Sequence, residues 1–238
     1  MARNFVLVHG AWHGGWCWRR VGERLAAAGH RVWAPTLTGL GERRHLLSRD
    51  VTLEVMFRDV IGVIEAEELT DVILVGHSFG GTVVTGVADR IPERIAQLVF
   101  LDGSLAESGQ SLLDGVMPAD VAASRRAAAQ AHDGGLSLPP PKAAALGISD
   151  PADAAWVERR MTPHPFGTFT ETVRWSAPIG HGRPKVYLDC VQPVYAPLVG
   201  LKARLRGRAD WPFLELATGH DAMVTAPDEL TAMLRRFA

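Results

Sequence analysis

The stretch LVGHSFGG, residues 74 to 81, constrains this chain more than any other. A strand-like run, Asp71 to Val75, stops abruptly at Gly76, and small helix-permissive residues follow from Thr82 to Asp89. Gly76, Ser78 and Gly80 fit a nucleophile elbow, a strained strand-to-helix turn that lifts a serine hydroxyl clear of a sheet. The flanking glycines let backbone segments pass where a Cβ would collide. Because Ser78 begins the next helix, the N–H of Phe79 has no intrahelical partner and is a candidate oxyanion donor. The competing reading is an ordinary Gly-rich turn in a parallel sheet.

The rest of the chain supplies the context this motif needs. Phe5 to Val8 is a short apolar run without polar alternation, which suits a strand buried on both faces. Trp18, Val21 and Leu25 recur at helical spacing, and Gly29 closes that helix. A second strand, Arg31 to Ala34, stops at Pro35. Leu53, Met56, Phe57, Val60 and Ile64 then mark one face of a longer helix, and Ile95 to Leu101 is the strand after the elbow. Alternating strands and helices argue for an α/β chain with a mostly parallel sheet, helices on both faces, and function gathered at the carboxyl ends of the strands. From residue 105 to 184 the rhythm breaks into an Ala-rich helical stretch, a triple proline and a second helix opened by Asp150-Pro151. Asp150 as N-cap and Pro151 at the first helical position define that start. The expected organisation is a core of residues 1–104 and 185–238 with a helical cap insertion at 105–184. Strands are expected at Lys185 to Asp189 and Phe213 to Ala217, with a helix between them over Val194 to Arg206.

With 238 residues, 47% of them hydrophobic, the chain is long enough for one large core. Its net charge of −1 and lack of a basic block point away from nucleic acid and anionic membranes and toward a small molecule. The two cysteines, Cys17 and Cys190, form no framework. No apolar run reaches the ~20 residues that span a bilayer, and the amino terminus lacks a signal-peptide core, so a cytoplasmic protein is expected. No spacing such as HExxH indicates a metal, and no cofactor is expected.

A serine hydroxyl needs a base within hydrogen-bond reach. Of nine histidines, His220 follows the last strand, in ELATGHD, where its ring could lean toward the elbow. His77 is expected to point away from Ser78 into packing. His9 and His13 read as loop-shaping or pocket-lining, and His45, His132, His164 and His181 as solvated. Asp221 reads as a surface or helix-approach residue, because adjacent side chains diverge from His220.

The segments FVLVHGAWHGGWCW, TLTGLGERRHLL, DVILVGHSFGG, LVFLDGS and TGHDAMVTAPDEL resemble the α/β-hydrolases of the group containing plant methyl esterases, hydroxynitrile lyases and bacterial pyrethroid-type carboxylesterases. The likeness spans nearly the full length. It implies the α/β-hydrolase fold, serine esterase chemistry without a cofactor, and a second oxyanion donor at the backbone N–H of Ala11. The third triad member departs from the family pattern. The usual acid follows the strand read as Lys185 to Asp189, yet the loop there is CVQPVYAPL, without a carboxylate. Asp102, in VFLDGS, resembles the acid of haloalkane dehalogenases and some lipases, and is the assignment preferred. Asp189 is the rival, and a water or no acid is the third alternative.

Trp12, Trp156 and Phe166 are candidate substrate-binding residues, with Met161, Phe169 and Trp175 also available to roof a pocket. The expected activity is a serine carboxylesterase acting on a small to medium apolar ester. Three alternatives stay open: a tailoring hydrolase or cyclase of secondary metabolism, a hydroxynitrile-lyase-like lyase, and a non-catalytic ligand receptor. Against the lyase, Gly10 stands where such lyases carry threonine, and Asp221 where they carry lysine. Oligomeric state is open, a homodimer included.

Overall fold

Four apolar runs too short for helices, and too continuous for a half-exposed sheet, become the buried inner strands of a computed structural model that describes residues 2–238, and two shorter, more exposed strands flank them. In chain order the first half contains β1 (Asn4–Val8), α1 (Arg19–Ala27), β2 (Arg31–Trp33), α2 (Leu53–Ala66), β3 (Val72–His77), α3 (Gly80–Arg90) and β4 (Ile95–Leu101). Then come α4 (Leu112–Gly115), α5 (Ala119–Asp133), β5 (Ser137–Leu138), α6 (Pro151–Glu158), β6 (His164–Pro165) and α7 (Gly167–Thr170). The chain ends with β7 (Lys185–Cys190), α8 (Val199–Arg206), β8 (Phe213–Leu216), α9 (Ala222–Thr225) and α10 (Pro227–Leu234).

The sheet has six parallel strands in the order β2-β1-β3-β4-β7-β8. Its central strand β3 is buried at every position. Helix α2 begins where the sequence provides a cap, the Thr52 side chain accepting from the Val55 N–H, and buries Met56, Phe57, Val60, Ile61 and Ile64. Asp150 caps α6 in the same way, accepting from the Asp153 N–H with Pro151 in the first turn.

All six sheet strands lie within residues 1–104 and 185–238, and α4 to α7 with the small β5–β6 ladder lie between β4 and β7. The helix expected over Val194 to Arg206 is shorter. Residues Ala196–Leu198 form a single 3-10 turn around Pro197, and the α-helix starts at Val199. Among the described residues no helix is long and apolar enough to cross a membrane.

Candidate active site

The strand order reverses between β1 and β3, since β2 lies on one side of β1 while β3 and β4 extend on the other. In a parallel α/β sheet such a switch point opens a crevice beyond the carboxyl ends of the strands. The loop after β1 and the elbow after β3 form its walls. Ser78 sits in the left-handed region, with φ of 51°, which raises its side chain above the sheet. The turn closes because both glycines are bare. A Cβ on Gly76 would lie 2.5 Å from the Gly80 carbonyl oxygen.

Two other strands of the sheet, β4 and β8, deliver the partners of that serine. His220, in the loop after β8, has Nε2 2.9 Å from Ser78 Oγ. Its Nδ1 is 2.7 Å from Oδ2 of Asp102, the residue immediately after β4. Asp102 is fully buried and also adopts a positive φ, 44°. Ser78 and His220 are buried as well, at 8% and 2% exposure, so this relay is shielded from bulk water. With Nδ1–H given to a carboxylate, Nε2 faces the hydroxyl as an acceptor, the state a general base requires.

Asp102 has a second partner that the sequence did not signal. Lys202, on α8 and 4% exposed, brings Nζ to 2.5 Å from Asp102 Oδ1 and 2.7 Å from Asp189 Oδ1. Burial alone would raise the Asp102 carboxyl, but the His220 ring and the Lys202 ammonium together hold it below the usual carboxylate range. Asp189 lies within β7 and pairs with Lys202 and Arg206, while the His220 ring is taken by Asp102. The i, i+4 spacing of Lys202 and Arg206 on one helix was the only trace of this arrangement in the sequence.

Three further histidines hold the loops around the relay. His9 Nδ1–H donates to the Gly10 carbonyl at 2.8 Å, and its Nε2 accepts from the Leu37 N–H at 3.0 Å. Both bonds suit a neutral ring, and burial lowers its pKa to about 3. The Gly10 carbonyl and the Ala11 N–H share one peptide plane, so His9 also fixes that amide. His77, which does turn away from Ser78, donates from Nε2 to the His220 carbonyl at 3.0 Å; burial, then the charge of His220, lowers its pKa to about 3. His13 bonds the Ala11 carbonyl through Nδ1 at 2.7 Å and Asp221 through Nε2 at 2.9 Å. Asp221 is therefore fully buried, contrary to the expectation of a surface residue. It does diverge from His220, but into the protein, where His13 supplies a counter-charge.

Among the described residues the amides of Ala11 and Phe79 donate to no other group, and they belong to the two walls of the crevice. Gly10 is what allows the walls to meet: a Cβ there would lie 2.8 Å from His77 Nδ1 and 2.9 Å from Ser78 Cβ.

Ser78 opens on a narrow pocket lined by Trp12, Phe79, Met117, Arg125, Phe169 and Tyr195, with about 10 Å³ of free room. His220 also borders a larger cleft of about 400 Å³, between residues 144–147 and 193–197. Of the expected pocket residues Trp12 lines the narrow pocket, with φ of 66° and its Nε1–H bonded to the Leu138 carbonyl. Trp156 does not. Helix α6 turns it onto Trp16, 5.1 Å between rings, and between the guanidinium groups of Arg20 and Arg160. Phe166 is buried but absent from the lining; Phe169, three residues on, takes that place. His164, expected to be solvated, is also buried. It donates to Thr168 Oγ1 at 3.0 Å and packs 4.4 Å from Phe79, and burial holds its pKa well below the ordinary value. Tyr195 gave no sequence signal beyond its place in the loop after β7. It stacks on the His220 ring at 3.8 Å and 16°, and its hydroxyl accepts from Arg125 at 3.0 Å.

His77, His220 and Asp221 cluster at a spacing a metal could use, with donor atoms within 4.8 Å of one another. Both ring nitrogens of His220 are already engaged, so the third ligand atom is lacking.

Residues 5–233 match the Alpha/beta hydrolase family. A carbendazim-hydrolysing esterase from Nocardioides sp. (strain SG-4G) is 44% identical over 240 residues, covering 97% of this chain and 98% of that one. An extracellular alpha/beta-hydrolase from a Paenibacillus species superposes with a TM-score of 0.86 at 26% identity, over 99% of both chains. Polyneuridine aldehyde esterase, 20% identical with a TM-score of 0.77 over 99% of both chains, shares the fold.

Proposed function

The chain belongs to the alpha/beta hydrolase family and is an esterase, and from that premise we propose how its residues divide the reaction. Ser78 Oγ attacks the ester carbonyl while His220 Nε2 takes its proton. Asp102 holds the ring through Nδ1–H and stabilises the imidazolium that forms. The carbonyl oxygen, now an oxyanion, accepts from the amides of Ala11 and Phe79. His220 then returns the proton to the departing alkoxide, leaving Ser78 acylated. Water, deprotonated by the same nitrogen, releases the acid and restores the serine.

The observation that carries this reading is the unbroken relay of 2.9 Å and 2.7 Å from Ser78 through His220 to Asp102. The two spaces beside it support a division of the substrate. The leaving oxygen must lie against His220, which borders the 400 Å³ cleft, whereas the acyl carbon must lie against Ser78 and its narrow pocket. The favoured ester thus has a short acyl group and a larger alcohol. The lyase alternative loses ground, because no side-chain hydroxyl fits at Gly10 and Asp221 is bound to His13.

The test is a series of p-nitrophenyl esters, with carbendazim included because a full-length relative is named for hydrolysing it. We expect kcat/KM to fall steadily from acetate to octanoate, and Ser78→Ala and His220→Ala each to lose on the order of 10⁴-fold without adding. A preference for the octanoate would refute the assignment of the two spaces. A tenth of normal activity in either folded variant would refute the mechanism.

A further inference from the structure

Resting on the roles given to Ser78 and His220, we infer that His13 and Asp221 form a fixed ionic strut between the oxyanion loop and the base loop, with His13 a positioning residue locked as imidazolium. The hydrogen bonds require that charge. The Ala11 carbonyl can only accept, so Nδ1 of His13 carries a proton; the Asp221 carboxylate accepts as well, so Nε2 carries another. Trp16 stacks on the ring at 5.3 Å, and His13 and Asp221 are 1% and 0% exposed. Burial alone would lower the His13 pKa, but the Asp221 charge and its hydrogen bond raise it above the ordinary value.

The strut joins two places where position matters. Asp221 directly follows His220, so the base loop is gripped at two consecutive residues: His77 holds the carbonyl of His220 and His13 holds the carboxylate of Asp221. At its other end His13 holds the carbonyl of Ala11, the residue whose amide faces the crevice. A displacement of about 1 Å between base and oxyanion donor costs on the order of 10²-fold in rate.

The charge has a second effect. A carboxylate oxygen of Asp221 and a ring nitrogen of His220 lie within 4.8 Å of each other. Left alone, that negative charge would favour the protonated ring and idle the base; the imidazolium of His13 cancels it. Among the described residues no other neighbour of Asp221 does so. His77, 3.7 Å from Asp221 Oδ1, is neutral, and Cys17 and Tyr195 carry no positive charge. Lys202 serves Asp102 and Asp189 instead.

His13→Gln and Asp221→Asn test the strut, with kcat, KM and the pH dependence of kcat/KM measured on p-nitrophenyl acetate and folding followed by circular dichroism. Both should lower kcat about 10- to 100-fold with KM within about threefold, and the double variant should be no worse than the poorer single one. His13→Gln should move the acid limb of the profile up by about one pH unit, because the Asp221 charge is then uncompensated. Asp221→Asn should not move it up. A purely structural role would lower stability in both and leave the limb in place; that outcome, or additive losses of kcat, overturns the inference. Should His13→Gln fail to fold, near-normal kcat in folded, isosteric Asp221→Asn overturns it alone. Ser78→Ala, run alongside, separates the two claims: turnover surviving there refutes the serine mechanism and not the strut.

Discussion

Two buried histidine–aspartate pairs flank Ser78, and they differ in what the second ring nitrogen faces. In His220–Asp102 that nitrogen meets a hydroxyl, which can give up a proton and take it back. In His13–Asp221 it meets a backbone carbonyl, which can do neither. One ring is free to cycle between charge states and the other is pinned in one. In sequence one pair is nested within the other, with His220 directly beside Asp221, yet each aspartate serves a different histidine. The contrast shows that a buried imidazole next to a carboxylate is not thereby a catalytic base; the group opposite the carboxylate decides.

The largest difference should come from removing the charge in turn from the two carboxylates that share Lys202, one inside the cycling pair and one outside both pairs. Asp102→Asn leaves His220 able to adopt the wrong tautomer toward Ser78 and should cost about 10³- to 10⁴-fold in turnover. Asp189→Asn, which touches only Lys202 and Arg206, should stay within about threefold. Equal losses in steady-state assays of the two variants would return the acid to open question.

A smaller effect, in stability, separates the pinned ring from its neutral neighbours. His9 and His77 are neutral when folded, with pKa lowered to about 3 from an ordinary 6.5, so unfolding between those values takes up protons. Stability should therefore fall as pH drops through that window, by about 1.4 kcal/mol per pH unit for each proton. His13, raised above the ordinary value, adds nothing to this slope; its own contribution is lost only as pH rises through its folded pKa. In Asp221→Asn the ring loses its carboxylate and joins the neutral set. Urea unfolding between about pH 4.5 and 6 should then show a slope steeper by about one proton, and an unchanged slope would mean that His13 was never charged.

Most of the architecture was legible because it depends on local pattern: continuous apolar runs for the buried strands, and Thr52 and Asp150 as caps. Ser78 and His220 could be read for a related reason, since a strained turn after a central strand and a loop after the last one both converge on one rim of a parallel sheet. Asp102 could be favoured over Asp189 from its place at the end of the strand after the elbow and its resemblance to the acid of other hydrolases, but not secured, because Lys202, which faces both, lies on a helix whose orientation no sequence pattern sets. Asp221 and His164 were misjudged for the opposite cause. Polar residues in loops are mostly solvated, but Asp221 is met by a partner 208 residues away, and His164 bonds Thr168 locally while Phe79 and Phe169 pack over its ring. The cap was least readable: Trp156 and Phe169 sit in similar apolar surroundings in the sequence, and only packing against Trp16 or Phe79 distinguishes them.

The claim that one pair cycles while the other is pinned can be tested at the serine itself. A fluorophosphonate should phosphonylate the wild-type protein, and peptide mass mapping should place the adduct on Ser78. His220→Ala should slow that labelling by about 10³-fold or more, since the hydroxyl has lost its base, while His13→Gln assayed above its shifted acid limb should slow it by no more than about 10²-fold. An adduct on another residue, or labelling that depends on His13 as strongly as on His220, would contradict the account.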